Sequence, residues 1–128
     1  MDNIHIAATE RSPEINFNFQ DNVFLIKGES YPEDVPAFFG PNINQLKDHL
    51  SAMDSGSVTF NFELIYFNST SAKVIMQLFE LFEESADSGV DVTVNWIFEH
   101  DDDNMEELGE EFGEDLESVK FNLVSQDS

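Results

Sequence analysis

Tyr66-Phe67-Asn68-Ser69-Thr70-Ser71-Ala72-Lys73 is the stretch on which the fold turns. Before it, Val58, Phe60, Phe62 and Leu64 alternate with Thr59, Asn61 and Glu63, the period of two that a strand requires. After it, Ala72, Ile75, Met76, Phe79 and Phe82 recur at helical spacing, and Val74, Leu78 and Leu81 widen that face beyond one stripe. The segment therefore closes a strand and opens a helix. The end of the strand, Ile65-Tyr66-Phe67, is apolar throughout, which predicts a central strand whose last residues are buried on both faces. Three adjacent hydroxyls follow at the helix N-terminus. Ser, Thr and Asn suit that place because their oxygens accept orphan backbone N–H groups, but three exceed what one cap needs. The same terminus carries positive partial charge and free donors, which suits a phosphate.

Working outward, Ile15, Phe17 and Phe19 alternate with Glu14, Asn16 and Asn18, and Val23-Phe24-Leu25-Ile26 forms a second run ending near Gly28. With turn residues Gln20-Asp21-Asn22 between them, the two runs predict a β-hairpin. Pro36, Gly40 and Pro41 argue against a continuous helix before position 41, with at most a short turn at Val35 to Phe39. Ile43, Leu46, Leu50 and Met53 then predict a helix over about 41–53. Beyond the second helix Gly89 is a stop signal, and Val90, Val92, Val94, Trp96 and Phe98 mark another strand. Met105, Leu108, Phe112 and Leu116 lay a narrow apolar stripe on an acidic helix over about 104–116. Gly109 and Gly113 weaken that helix by roughly 1 kcal/mol each relative to Ala. Val119, Phe121 and Leu123 make a last short strand, and Ser125 to Ser128 a fraying tail.

The resulting order, β-β-α-β-α-β-α-β, predicts an α/β fold: a mixed sheet of about five strands with three helices, in one domain spanning residues 1–128. The successive strand-helix-strand units make the sheet mostly parallel, the hairpin adds an antiparallel partner, and right-handed crossovers place the helices largely on one face.

A net charge of −22, with 5 Lys and Arg against 27 Asp and Glu, disfavours nucleic acid and anionic membranes, which both require clustered cations. A basic protein surface is the natural complement. The 13 Phe residues are too many for a disordered chain. No apolar run approaches the roughly 20 residues of a membrane helix, and Met1 to His5 lacks the basic and hydrophobic regions of a leader, so a soluble cytoplasmic protein is the expectation. With no cysteine, disulfides and thiolate chemistry are excluded.

Enzyme chemistry does not assemble. His5, near the chain's start, is expected to fray; His49 is expected to face solvent; His100 sits among acids. None recurs with a nucleophile, and no phosphate-binding or dinucleotide fingerprint is present. Glu99, Asp101, Asp102 and Asp103 are hard oxygen ligands, but Met105 and Glu106 fall where a calcium loop wants a ligand and a glycine. The expectation is neither an enzyme nor a metal protein, with no cofactor. Tyr31-Pro32 and Phe38-Phe39 form an aromatic cluster in irregular chain, either core under a loop or a contact surface beside the hydroxyls.

The element order, with Asn68-Ser69-Thr70-Ser71 at a strand–helix junction, resembles the STAS fold of bacterial anti-anti-sigma factors, whose junction carries Asp-Ser-Ser-Gly and a phosphorylated Ser. Ser12-Pro13-Glu14-Ile15, Gly28-Glu29-Ser30-Tyr31-Pro32-Glu33, Tyr66 to Lys73 and the acidic third helix together resemble the SiaC family of regulatory phosphoproteins along essentially the whole chain. That resemblance implies a switch: a Ser/Thr kinase phosphorylates the first hydroxyl after the Asn, and a PP2C-type phosphatase removes the phosphate. The unphosphorylated form binds and activates a diguanylate cyclase, feeding cyclic-di-GMP signalling and biofilm formation. Here the family's Thr-Ser-Ser reads Ser69-Thr70-Ser71, so position favours Ser69 as the acceptor while residue type and the STAS register favour Thr70. Tyr31, Pro32, Glu33, Asn68, Thr70 and Ser71 are the expected partner contacts. A constitutive acidic adaptor, whose hydroxyls only cap a helix, is the alternative.

Overall fold

The computed structural model describes residues 2–127. Nine elements follow in order: β1 (Ile4–Ile6), β2 (Glu14–Asn18), β3 (Val23–Ser30), α1 (Val35–Ser51), β4 (Ser57–Phe67), α2 (Ser69–Asp87), β5 (Asp91–Glu99), α3 (Asp103–Gly113) and β6 (Lys120–Gln126). They build one six-stranded sheet in strict sequential order. β1, β2 and β3 pair antiparallel, and β3 through β6 pair parallel. The class is the expected mixed α/β sheet with three helices, with one strand more than expected. The sixth is β1, where His5 is paired opposite Asn16 rather than frayed. Three residues are too few to show a period. At the other end, Ser125 and Gln126 belong to β6, held opposite Phe98 and Glu99, rather than to a tail; Ser128 lies outside the described residues.

Burial alternates along β5 and along β4 as far as Leu64, so the helices cover one face and leave the other open. On the covered face, Phe17, Phe24, Phe60, Phe62 and Trp96 form a continuous aromatic layer with ring centroids 4.8–5.8 Å apart. Ile75, Leu78, Phe79 and Phe82 of α2 close over it. Each such side chain contributes about 1.5–3 kcal/mol when fully buried. On the open face a row of side-chain amides crosses three parallel strands: Asn122 Nδ2 donates to Asn95 Oδ1 (3.0 Å), and Asn95 Nδ2 to Asn61 Oδ1 (2.9 Å).

α1 corrects the expected start near position 41, because the helix already begins at Val35. Asp34 caps it, accepting from the Ala37 N–H at 3.1 Å, and Pro36 lies in the first turn, where no N–H is needed. Pro41 lies inside the helix and cannot bond the Ala37 carbonyl, but Ala37 and Pro41 both face solvent. Gly40 lacks the Cβ that would press on the proline ring. The cost of an interior proline, about 3 kcal/mol, is offset by burial of Val35, Phe39, Leu46 and Leu50.

The glycines of α3 also have a reason that propensity does not show. A Cβ at Gly109 would lie 2.4 Å from the Trp96 ring, and one at Gly113 would lie 2.5 Å from Phe121. The helix rests its backbone on the sheet, and Trp96 Nε1 donates to the Met105 carbonyl at 3.0 Å. Asp102, from the acidic run, caps α3 by accepting from the Met105 N–H at 3.0 Å.

His49, expected to face solvent, is half-buried. Its Nε2 lies 2.6 Å from Asn22 Oδ1, and its ring packs on Phe19 and Phe24. Burial lowers its pKa below the ordinary histidine value.

Candidate functional site: the junction of β4 and α2

β3 and β4 are parallel neighbours, so their carboxyl ends finish side by side, with Ser30 opposite Phe67. The chain leaves these ends into α1 and α2, placing two helix N-termini at one edge of the sheet. Just before that edge the register shifts: Gly28 faces Leu64, but Glu29 faces Tyr66. Ile65 is the extra residue of a β-bulge, accommodated opposite Gly28, whose φ of +118° is open to glycine and strained for other residues. The bulge turns two consecutive side chains outward, leaving Ile65 67 % and Tyr66 50 % exposed. This corrects the expectation that Ile65-Tyr66-Phe67 is buried on both faces: only Phe67 turns inward, against Trp96 and Phe112.

Tyr31 packs edge-on against Tyr66, with centroids 5.7 Å apart. The aromatic cluster thus divides. Phe39 is core and Phe38 packs on it, whereas Tyr31 joins the half-open surface beside the junction, with Pro32 half-buried and Glu33 exposed.

The three hydroxyls divide as well. Asn68 is the N-cap of α2, and its Oδ1 accepts from the Ser71 N–H at 2.9 Å. Ser69 and Thr70, the first two residues of the helix, are exposed. Neither their hydroxyls nor their backbone N–H groups have a hydrogen-bond partner among the described residues. Ser71, expected among the partner contacts, is instead 1 % exposed. It accepts from Ser30 Oγ (2.9 Å) and donates to the Ser30 carbonyl (3.0 Å), which also takes the Asn68 N–H (3.1 Å). Helical geometry explains the division, because the third residue of the helix points back toward the sheet that the first two leave. Ser71 is therefore a weld between the end of β3 and the start of α2, and it fixes the point from which Tyr31 leaves the sheet.

Lys73, one turn beyond Ser69, is the nearest cation along α2, at a spacing that lets it reach either Ser69 or Thr70. Lys27 is already paired with Glu63 at 3.1 Å, and that hydrogen bond raises its pKa. Among the described residues no three His, Asp or Glu side chains converge on a common cation position, and no helix is long and apolar enough to cross a membrane.

Sequence reasoning missed Tyr66 and Ile65 as surface and Ser30 as the partner of Ser71. A glycine within a strand pattern is the available signal for the first pair, since it often marks a bulge. No signal in the sequence pairs Ser30 with Ser71, which are 41 residues apart.

Comparison with known proteins covers nearly the full chain. An uncharacterized protein of Pseudomonas aeruginosa is 31% identical over 99% of both sequences. Apo-SiaC from the same organism superposes with a TM-score of 0.86 at 31% identity, over 97% of this chain and 99% of that one. SiaC in its complex with diguanylate cyclase SiaD, of which it is the activator, superposes with a TM-score of 0.90 at 29% identity, over 96% and 99%. The family model for the SiaC family regulatory phosphoprotein matches residues 6–126, and the chain belongs to that family.

Proposed function

We propose that this protein is a phosphorylation-switched regulator of a single domain whose unphosphorylated form binds and activates an effector, a diguanylate cyclase in the first instance. A Ser/Thr kinase adds phosphate at Ser69, or alternatively at Thr70, and a PP2C-type phosphatase removes it. The observation that carries the reading is kinship to an activator solved together with its cyclase. The junction supports the switch, since two of its hydroxyls are exposed and unengaged among the described residues. Tyr31, Pro32, Glu33 and Asn68 form the contact surface with whichever of Ser69 and Thr70 is not the acceptor, and Ser71 supports it from below. The protein works in the cytoplasm, beside the nucleotide triphosphates that its kinase and cyclase consume.

The chemistry follows from charge. A phosphate adds about −1.5 to −2 charges at neutral pH. At the start of α2 it meets the positive end of the helix dipole, unpaired N–H groups and Lys73, so the fold tolerates it. A partner seated over the junction meets added bulk and an anion that must be desolvated. Unpaired or like-charge contacts of that kind cost several kcal/mol, enough to turn a tight complex into a negligible one.

Incubation with the genome-adjacent kinase and ATP, followed by intact-mass measurement, tests the switch. The parent gains one phosphate, and one of Ser69→Ala and Thr70→Ala gains none. Ser69→Asp or Thr70→Asp, at the acceptor so identified, weakens cyclase binding and activation while leaving the melting profile unchanged. If both alanine variants still take up phosphate, or the double variant responds to the kinase as the parent does, the site is wrong. A constitutive adaptor then remains.

A further inference from the structure

α2 and α3 do not close against each other along their full length. Between them runs a groove of about 410 Å³. Its apolar lining includes half-buried Phe112 and Leu116, and Met76 stands 54 % exposed at the α2 side. Its rims are acidic: Glu80 on α2, Glu111 on α3 and Asp115 just beyond it, all exposed. No Lys, Arg or His lines it among the described residues. Glu83 also borders the groove but is already engaged, its carboxylate accepting the N–H groups of Glu117, Ser118 and Val119 at 2.8, 2.9 and 3.1 Å.

An apolar trough between two carboxylate rims rejects acidic partners, and a second copy of this chain would set carboxylates against carboxylates. Its complement is a helix whose apolar anchors recur at i, i+3 or i+4 and i+7, flanked by Lys or Arg. We propose that the α2–α3 groove docks a basic amphipathic helix of a partner protein. The groove lies about two turns beyond Ser69 and requires no phosphate, so the proposal stands apart from the switch and from the choice of acceptor.

The test uses the full chain and a synthetic helical peptide of about 14 residues, roughly four turns, with Leu on one face and Lys on the rest. A control peptide of the same composition has Leu and Lys alternating, so it presents no helical stripe. The helical peptide is expected to shift the backbone amide resonances of residues 76–83 and 111–116 and to bind more tightly than the control. Met76→Gln weakens it about tenfold, as loss of a central anchor does. Glu80→Gln combined with Glu111→Gln weakens it and flattens its dependence on salt. All three replaced side chains are exposed, so the variants keep the parent melting profile. Equal binding of the two peptides, shifts centred on the open sheet face, or parent-like affinity in both variants would overturn the proposal.

Discussion

Replacing Ser71 with alanine separates a structural hydroxyl from a regulatory one. The Ser71 hydroxyl is buried and makes two hydrogen bonds, both to Ser30. In Ser71→Ala the Ser30 carbonyl keeps the Asn68 N–H, but the Ser30 hydroxyl, itself 1 % exposed, loses its acceptor. An orphaned buried donor costs about 1–3 kcal/mol. The better helix propensity of Ala returns up to about 0.5 kcal/mol, leaving a net loss of about 1–2 kcal/mol. With a urea slope of about 2 kcal/mol per molar, the middle of the usual range, the unfolding midpoint falls by roughly 0.5–1 M. Ser69→Ala and Thr70→Ala, which remove no hydrogen bond, stay within about 0.5 kcal/mol of the parent. A double-mutant cycle sharpens the test. Ser30→Ala with Ser71→Ala removes donor and acceptor together, so the pair costs less than the sum of the singles by at least about 0.5 kcal/mol. Additive single and double variants, or a Ser71→Ala midpoint matching those of Ser69→Ala and Thr70→Ala, would refute the weld.

Gly109→Ala runs against propensity: the helix gains about 1 kcal/mol, but the Cβ overlaps the buried Trp96 ring, and overpacking of about 1–3 kcal/mol or more leaves a net destabilisation measurable by denaturant titration; a rise in stability refutes the close approach. Glu83→Ala frees the three N–H groups of residues 117–119, so their amide hydrogen exchange accelerates while that of β4 does not. His49 has a lowered folded pKa, so the unfolded chain binds the proton more readily; its contribution is full above about pH 6.5 and is lost as pH falls. His49→Gln therefore loses less stability than the parent between neutral and mildly acidic pH, and equal losses in urea titrations would count against this.

The fold was legible wherever one period persisted for several residues. β2, β4, β5 and α2 declare themselves because each presents one face to the core. The start of α1 was not legible, because Gly40 and Pro41 oppose a helix interior that tertiary burial of Val35 and Phe39 sustains, while Pro36 suits the first turn only once Asp34 is known to cap it. The candidate site was half legible. Asn68 and the hydroxyl run mark a helix start from their own chemistry, but only the sheet in three dimensions separates exposed Ser69 and Thr70 from buried Ser71. Tyr66 was hidden for a related reason: an apolar run gives no hint of a bulge that turns part of it outward. Gly109 and Gly113 read as weaknesses because the Trp96 and Phe121 rings they admit lie on other elements.

The asparagine row on the open face bears on how the parallel strands find their alignment. Alternation of apolar and polar residues rejects a slip of one residue, which would turn a strand inside out. It is indifferent to a slip of two, which returns every side chain to its proper face. Asn61, Asn95 and Asn122 remove that ambiguity, because their amides meet donor to acceptor in one alignment only. Displaced by two positions, Asn95 would stand opposite Thr59 or Glu63, and the chain of amides would break. The row thus works as a vernier, fixing along the strand axis what hydrophobicity fixes only across the sheet.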